Sequence, residues 1–221
     1  MNHRRIFVAS LVIALVSLCM SPRECLAKPD INRRGGQWGV LLGASLCVPG
    51  RADCHRESLG DTRPSFGMGV DLGYRMNRFL FFGAGYNYGM FNPTREIETS
   101  DDYSVGYQNS VFGLIRPILP LWRFDIGVDL GPGFSRQAFR VREGAVDKVY
   151  SQGFAFKIAP LVDIFVTRRF YIGAKVDIIL NAHRRACVVT GDVTNCKDAG
   201  SRDVAPVHQL ILGVHLGTTF L

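Results

Sequence analysis

Nine side chains in this 221-residue chain have the types and spacing for a buried electrostatic network: Asp71, Arg75, Arg116, Asp125, Asp129, Lys157, Asp163, Lys175 and Asp177. All except Arg116 sit at odd positions within otherwise apolar stretches, and Asn87, Gln209 and His215 share that parity. Charges taken out of water persist only when they are paired and hydrogen-bonded. The four cations and five carboxylates of this set are close to balance, which favours ion pairs that fill an interior. The rival is a narrow polar conduit, because glycines at the same parity leave room for water. His215, alone on its face, reads as a hydrogen-bonded core histidine rather than a pH switch.

Other reactive groups fall outside those stretches. Cys47 with Cys54 and Cys187 with Cys196 form two local pairs within polar segments. In an exported chain an even cysteine count reads as disulfides, and closing a short loop stabilises by roughly 2 to 4 kcal/mol. There is no CxxC pair, and His55 and His183 are single neighbours rather than a ligand set, so no metal and no catalytic thiol is expected. A serine hydrolase needs a serine activated by a histidine that a carboxylate orients. His183, Ser201, Asp203 and His208 have the types for that, but their spacing matches no such arrangement. Neither enzymatic activity nor a cofactor is expected.

The elements that position these groups follow from strict alternation. The even-numbered residues of Trp38 to Leu46, Phe66 to Tyr74, Leu80 to Met90, Phe124 to Phe134, Phe154 to Val166, Ile172 to Leu180 and Leu210 to Phe220 carry no charge at all, in a chain that is 20% charged. Period two places successive side chains on opposite faces of a strand. An apolar outer face backed by a charged, glycine-rich inner face is the pattern of a barrel in lipid. A soluble lipocalin-like barrel would reverse the faces.

The expected strands cover about residues 37–47, 65–75, 79–91, 103–116, 123–135, 149–167, 170–180 and 207–221. The fourth leaves its outward face open by one residue, since Val105, Tyr107, Val111 and Ile115 alternate with Phe112 and Leu114. Pro132 and Pro160 occupy outward positions and suggest bulges, the first flanked by Gly131 and Gly133. Residues 48–64, 92–102, 136–148 and 181–206 form long polar connections, whereas 76–78, 117–122 and 168–169 form short ones. In outer-membrane barrels the short turns face the periplasm. Aromatic residues sort into two belts on that arrangement: Trp38, Tyr74, Phe79, Trp122, Phe124, Phe170, Tyr171 and Phe220 near the short turns, and Tyr86, Tyr88, Phe91, Tyr103, Tyr107, Phe134, Tyr150 and Phe154 near the long loops.

Arg4 and Arg5 precede an apolar run from Ile6 to Met20 that ends near Cys25, Leu26 and Ala27. The run is shorter than the roughly 20 residues a spanning helix needs, so residues 1–27 read as a secretory signal peptide and 28–221 as the barrel domain. The formal charge of +7 and pI near 9.3 suit anionic lipid in an exported chain rather than nucleic acid. The basic segment 136–148 has the charge to meet lipopolysaccharide phosphates.

The Gly-Gly-Gln-Trp-Gly-Val of residues 35–40, the Phe-Gly-Ala-Gly-Tyr of 82–86, the Phe-Asp-Ile-Gly-Val-Asp-Leu-Gly of 124–131 and the final Val214 to Leu221 resemble the small outer-membrane β-barrel proteins typified by the OmpA transmembrane domain and OmpX. The resemblance covers the mature chain and is one of pattern. It implies an all-β, eight-stranded antiparallel transmembrane β-barrel in a bacterial outer membrane, inserted by the barrel-assembly machinery that reads a terminal aromatic residue; here Phe220 is penultimate. It further implies contact with outer-membrane lipid and lipopolysaccharide, a monomer, and a structural or surface-interaction role for an extracellular ligand the sequence does not name. The alternatives are a small pore or OmpW-like channel and, behind it, a lipid A-modifying enzyme. The chain ends at the eighth strand, so no appended peptidoglycan-binding domain is expected.

Overall fold

A computed structural model describes residues 31–48, 64–91, 103–141, 146–198 and 207–220. The signal-peptide segment lies outside the described residues, as do Cys54, Ser201 and Asp203. The described chain is built from β1 (Gly35–Val48), β2 (Ser65–Asn77), β3 (Leu80–Phe91), β4 (Tyr103–Leu121), β5 (Phe124–Val141), β6 (Lys148–Phe165), β7 (Phe170–Thr190), β8 (Val193–Asp198) and β9 (His208–Phe220). Neighbours pair antiparallel in the order β6-β5-β4-β3-β2-β1-β9-β7-β8, and β6 also pairs with β7. That last pairing closes eight strands into a ring, and β8 extends β7 outside it as a hairpin.

Several strands run further than the alternation of apolar residues suggests. β4 continues through Pro117 and Pro120 to Leu121, β5 continues to Val141, and β7 continues to Thr190 before turning into β8. In β4 the two prolines hid the continuation, whereas in β5 and β7 the physical reason is a change of solvent. Beyond the apolar band an outward residue meets water and becomes Arg136, Arg140 or Arg184, all exposed, so the polar stretch looks like loop although the ladder persists.

Odd positions point inward on every ring strand except β4, where Phe112, Leu114, Arg116 and Ile118 are buried and Val111, Ile115 and Leu119 are exposed, and the end of β7, where a register shift turns Arg185 outward beside Gln152. The register explains this. Phe81 pairs with Arg116, so parity inverts between β3 and β4, and Leu121 pairs with Phe124, so it inverts back into β5.

The prolines do not make the expected bulges. Pro132 and Pro160 stay in register with Phe156 and Val128. Each sits where pairing to its other neighbour lapses, between Phe112↔Gly133 and Ile115↔Leu130 for the first and between Ile158↔Ile178 and Leu161↔Lys175 for the second. A residue without an N–H loses least there. The register shifts fall instead at Arg75/Asn77, Tyr103/Val105 and Gln152/Gly153.

The exterior is a continuous apolar surface in which Leu42, Leu72, Val111, Ile126, Val162, Leu212 and Val214 are exposed. Among the described residues no helix is long and apolar enough to cross a membrane; the apolar band is carried by strands. Trp38, Tyr74, Phe79, Trp122, Phe124, Phe170 and Phe220 are exposed at the short-turn end. Tyr171 lies at that end too but points inward and is fully buried, which corrects its place in the outer belt. The side chains of Phe91 and Tyr103 are not described.

Candidate functional site

The interior is built in layers, and its middle layer gathers ionisable groups from six of the eight ring strands and an amide, Asn87, from a seventh. Asp71 on β2 accepts from Arg116 on β4 at 2.9 Å and from Lys175 on β7, with Lys157 of β6 at 3.7 Å. Asp129 on β5 is held by Arg116 through two nitrogens, one at 2.9 Å, and by Lys175 at 2.7 Å. Lys157 pairs with Asp177 at 2.9 Å and donates to the Asn87 carbonyl at 3.0 Å, while the Asn87 amide donates to Asp177. On β9, His215 Nδ1 meets Asp163 at 2.8 Å, and its Nε2 lies 3.9 Å from Asp71. β1 contributes Gly39, where an added Cβ would come 2.5 Å from His215 Nε2 and 3.1 Å from the Tyr171 hydroxyl.

These groups are fully buried, with Lys157, Asp129, Asp177 and His215 at 0% exposure. Removing an ion from water costs several kcal/mol even after relaxation, and only good geometry with further hydrogen bonds offsets it. Here the partners are shared: Asp71 and Asp129 are bridged by both Arg116 and Lys175, so the charges form one connected unit. Arg116 also lies over the Phe81 ring, its Cζ 4.7 Å from the centroid, and Phe81 belongs to an apolar cluster with Phe112, Leu114, Ile118, Ala155 and Ile179.

Arg75 and Asp125 lie in a second layer at the short-turn end. Arg75 reaches Asp125 at 2.5 Å and donates to the Arg78 carbonyl at 2.7 Å. Asp125 takes a second cation, Arg33, at 3.1 Å. Arg33 also donates to the Trp122 carbonyl at 2.5 Å and has its Cζ over Phe165 at 5.8 Å from the centroid. The backbone beside it is tied across the same end: Asn32 N donates to the Arg168 carbonyl at 3.0 Å, and the Thr219 hydroxyl donates to the Asn32 carbonyl at 3.2 Å. Sequence reasoning missed Arg33 because it precedes the first alternating stretch; the one-charge deficit among the interior cations was the available signal.

At the opposite end a neutral polar layer replaces the charges. The Gln137 amide donates to the Gln108 carbonyl at 2.6 Å, Asn181 donates to Gln108 at 3.0 Å and to the Val207 carbonyl at 2.7 Å, and Gln209 donates to Ser45 at 3.0 Å. His183 is held between two hydroxyls, Ser135 at 2.7 Å from Nε2 and Ser151 at 2.8 Å from Nδ1. His208 Nδ1 accepts from the Asn181 backbone at 3.1 Å. The structure therefore does not join His183 and His208 in one pair, and Ser201 and Asp203 lie outside the described residues. Among the described residues no group of three or more His, Cys, Asp or Glu is placed to hold a metal.

Space at several inward glycines is taken up by neighbouring side chains, while at others, such as Gly43 and Gly213, it is the backbone of the next strand that comes close. A Cβ at Gly217 would overlap the Tyr171 hydroxyl, one at Gly89 would overlap the Gln209 amide, and one at Gly85 would meet Leu114 at 2.8 Å. The Tyr171 hydroxyl uses its slot to donate to the Trp38 carbonyl at 3.1 Å and to accept from Gln37 at 2.9 Å.

Beyond the ring, Cys187 and Cys196 face each other across β7 and β8 and form a disulfide. The expected Cys47–Cys54 pairing involves Cys54, outside the described residues.

No protein-family model matches the sequence, and no curated protein matches it either. Solved structures do match. Neisserial surface protein A is 14% identical with a TM-score of 0.53, over 84% of this chain and 97% of that one. A major outer membrane protein from Thermus thermophilus is 8% identical with a TM-score of 0.53, over 84% of this chain and 100% of that one. With its closed ring of eight antiparallel strands, apolar outside and charged within, the chain has the fold of the small barrels of bacterial outer membranes.

Proposed function

We propose that the protein is a closed, non-conducting barrel of a bacterial outer membrane, with a structural or surface-interaction role exerted through its extracellular segments. The observation that carries this reading is the middle layer: Arg116, Lys157 and Lys175, interlocked with Asp71, Asp129 and Asp177, occupy the cross-section with almost no exposure. A water-filled pore needs lumen charges that face solvent, whereas these face each other. The Arg33 segment at one end and the amide layer at the other add a second and a third obstruction. The fold shared with an outer-membrane protein and a surface protein supports the compartment, and the apolar exterior supports insertion by the barrel-assembly machinery.

In this reading the short turns and both described chain ends face the periplasm, the long connections and the disulfide-bonded hairpin face outward, and outer-membrane lipid and lipopolysaccharide surround a monomer. No catalytic step is assigned. The test is conductance of the refolded protein in a planar bilayer, with band shift between unheated and boiled samples to show that the barrel is intact. The expected result is no discrete channel steps from a heat-shiftable barrel. Ohmic, single-level conductance from that same species would overturn the reading in favour of a small pore.

A further inference from the structure

The outward wall of β4 to β7 changes character over two register steps. Val111, Phe134, Phe154 and Ala182 align across the four strands as an exposed, lipid-type row. One step beyond lies Asn109, Arg136, Gln152 and Arg185. The next is Tyr107, Ala138, Tyr150 and Cys187, followed by Lys148 on β6. Two cations here are held by rings and hydroxyls rather than by carboxylates. Arg136 lies over Tyr150, its Cζ 3.9 Å from the centroid, and Lys148 donates to the Tyr107 hydroxyl at 2.8 Å. Among the described residues neither has a carboxylate in ion-pair range. Asp147, next to Lys148, is engaged by the Gly191 N–H at 2.6 Å, and Asp198 stands across from Arg185 rather than Arg136.

We propose that Arg136 and Lys148 form a binding site for the phosphate groups of a phosphorylated outer-leaflet glycolipid, whose acyl chains lie against Val111, Phe134 and Phe154. This rests on the outer-membrane orientation given above. A guanidinium stacked on a ring keeps its N–H edge free for bidentate contact with phosphate, and the lysine retains two of its three donors. The sites face sideways from the barrel, directly above an apolar wall, at the depth where anionic headgroups attract basic residues. A free anion would use the cations but gain nothing from that wall, so a lipid is the fitting source. The disulfide fixes the outer margin, since the Tyr150 hydroxyl lies 3.7 Å from Cys196 Sγ.

The test measures binding of bisphosphorylated lipid A, dephosphorylated lipid A and inorganic phosphate to the full chain in zwitterionic detergent. It is repeated on Arg136→Gln/Lys148→Gln and on Arg78→Gln at a short turn. The expected result is affinity for bisphosphorylated lipid A that falls at least about tenfold without its phosphates and by a similar factor in the double variant, with Arg78→Gln unchanged. Equal binding of the two lipid A forms by the wild-type protein overturns the proposal, and that comparison stands even where the double variant fails to fold. Inorganic phosphate competing at the lipid's own concentration overturns the lipid assignment. Channel activity would defeat the closed-barrel reading while leaving this result intact.

Discussion

Lys175 shows how single side chains hold the interior. It reaches Asp71 directly, Asp129 at 2.7 Å and Asp177 at 3.8 Å, so its removal strands buried carboxylates. Lys175→Met is expected to destabilise the barrel by about 3 to 5 kcal/mol, measured by urea unfolding in lipid vesicles. Adding Asp129→Asn is expected to recover part of that loss, because the residues share one network and their effects do not add. Tyr171→Phe, which deprives Gln37 of an acceptor, is expected to cost about 1 to 3 kcal/mol. Parity made most of these residues legible in the sequence, since a charge among apolar neighbours at period two has one face available. Which cation meets which carboxylate was not legible, because pairing depends on stagger between strands distant in the chain. Tyr171 illustrates the limit: its residue type suggested the interface, and its odd position placed it inside.

At the scale of the strand, the solvent sets the rule. Leu72 on β2 is 58% exposed within the apolar band, and Leu72→Arg is expected to cost roughly 2 to 4 kcal/mol near the bilayer centre. Thr194→Arg, on the exposed β8 hairpin, is expected to stay within about 0.5 kcal/mol. Equal effects in the same vesicle unfolding assay would refute the assignment of faces. Replacing Cys187 and Cys196 by serine is expected to speed protease cleavage near the hairpin tip while leaving the heat-shifted gel band in place, because β7 still pairs with β6 and β9. Strand centres were readable from composition, whereas strand ends at 117–121, 136–141 and 181–190 were not. In the last two the outward residues turn polar, and a single sequence cannot distinguish a wetted strand from a loop; in 117–121 the outward Leu119 and Leu121 stay apolar, but Pro117 and Pro120 read as breaks in the ladder.

For the whole molecule, the ring closes between its first and last elements, from Gly36↔Phe220 to Val48↔His208. Every other neighbouring pair in the ring is nearer in sequence. The seam joins β1 to β9, the first and last of the described strands, so the cylinder cannot close until β9 has been made. Until residues 208–220 arrive, β1 and β7 present open edges, and an incomplete barrel of this kind is the form most vulnerable to aggregation. Deleting residues 207–221 is therefore expected to abolish the heat-shiftable species altogether and to send the chain to periplasmic degradation, as seen by pulse-chase. Accumulation of a stable seven-stranded form would contradict it. The seam thus makes closure of the barrel an all-or-none event and, on the outer-membrane reading proposed above, leaves the chain dependent on escort for as long as the last strand is missing.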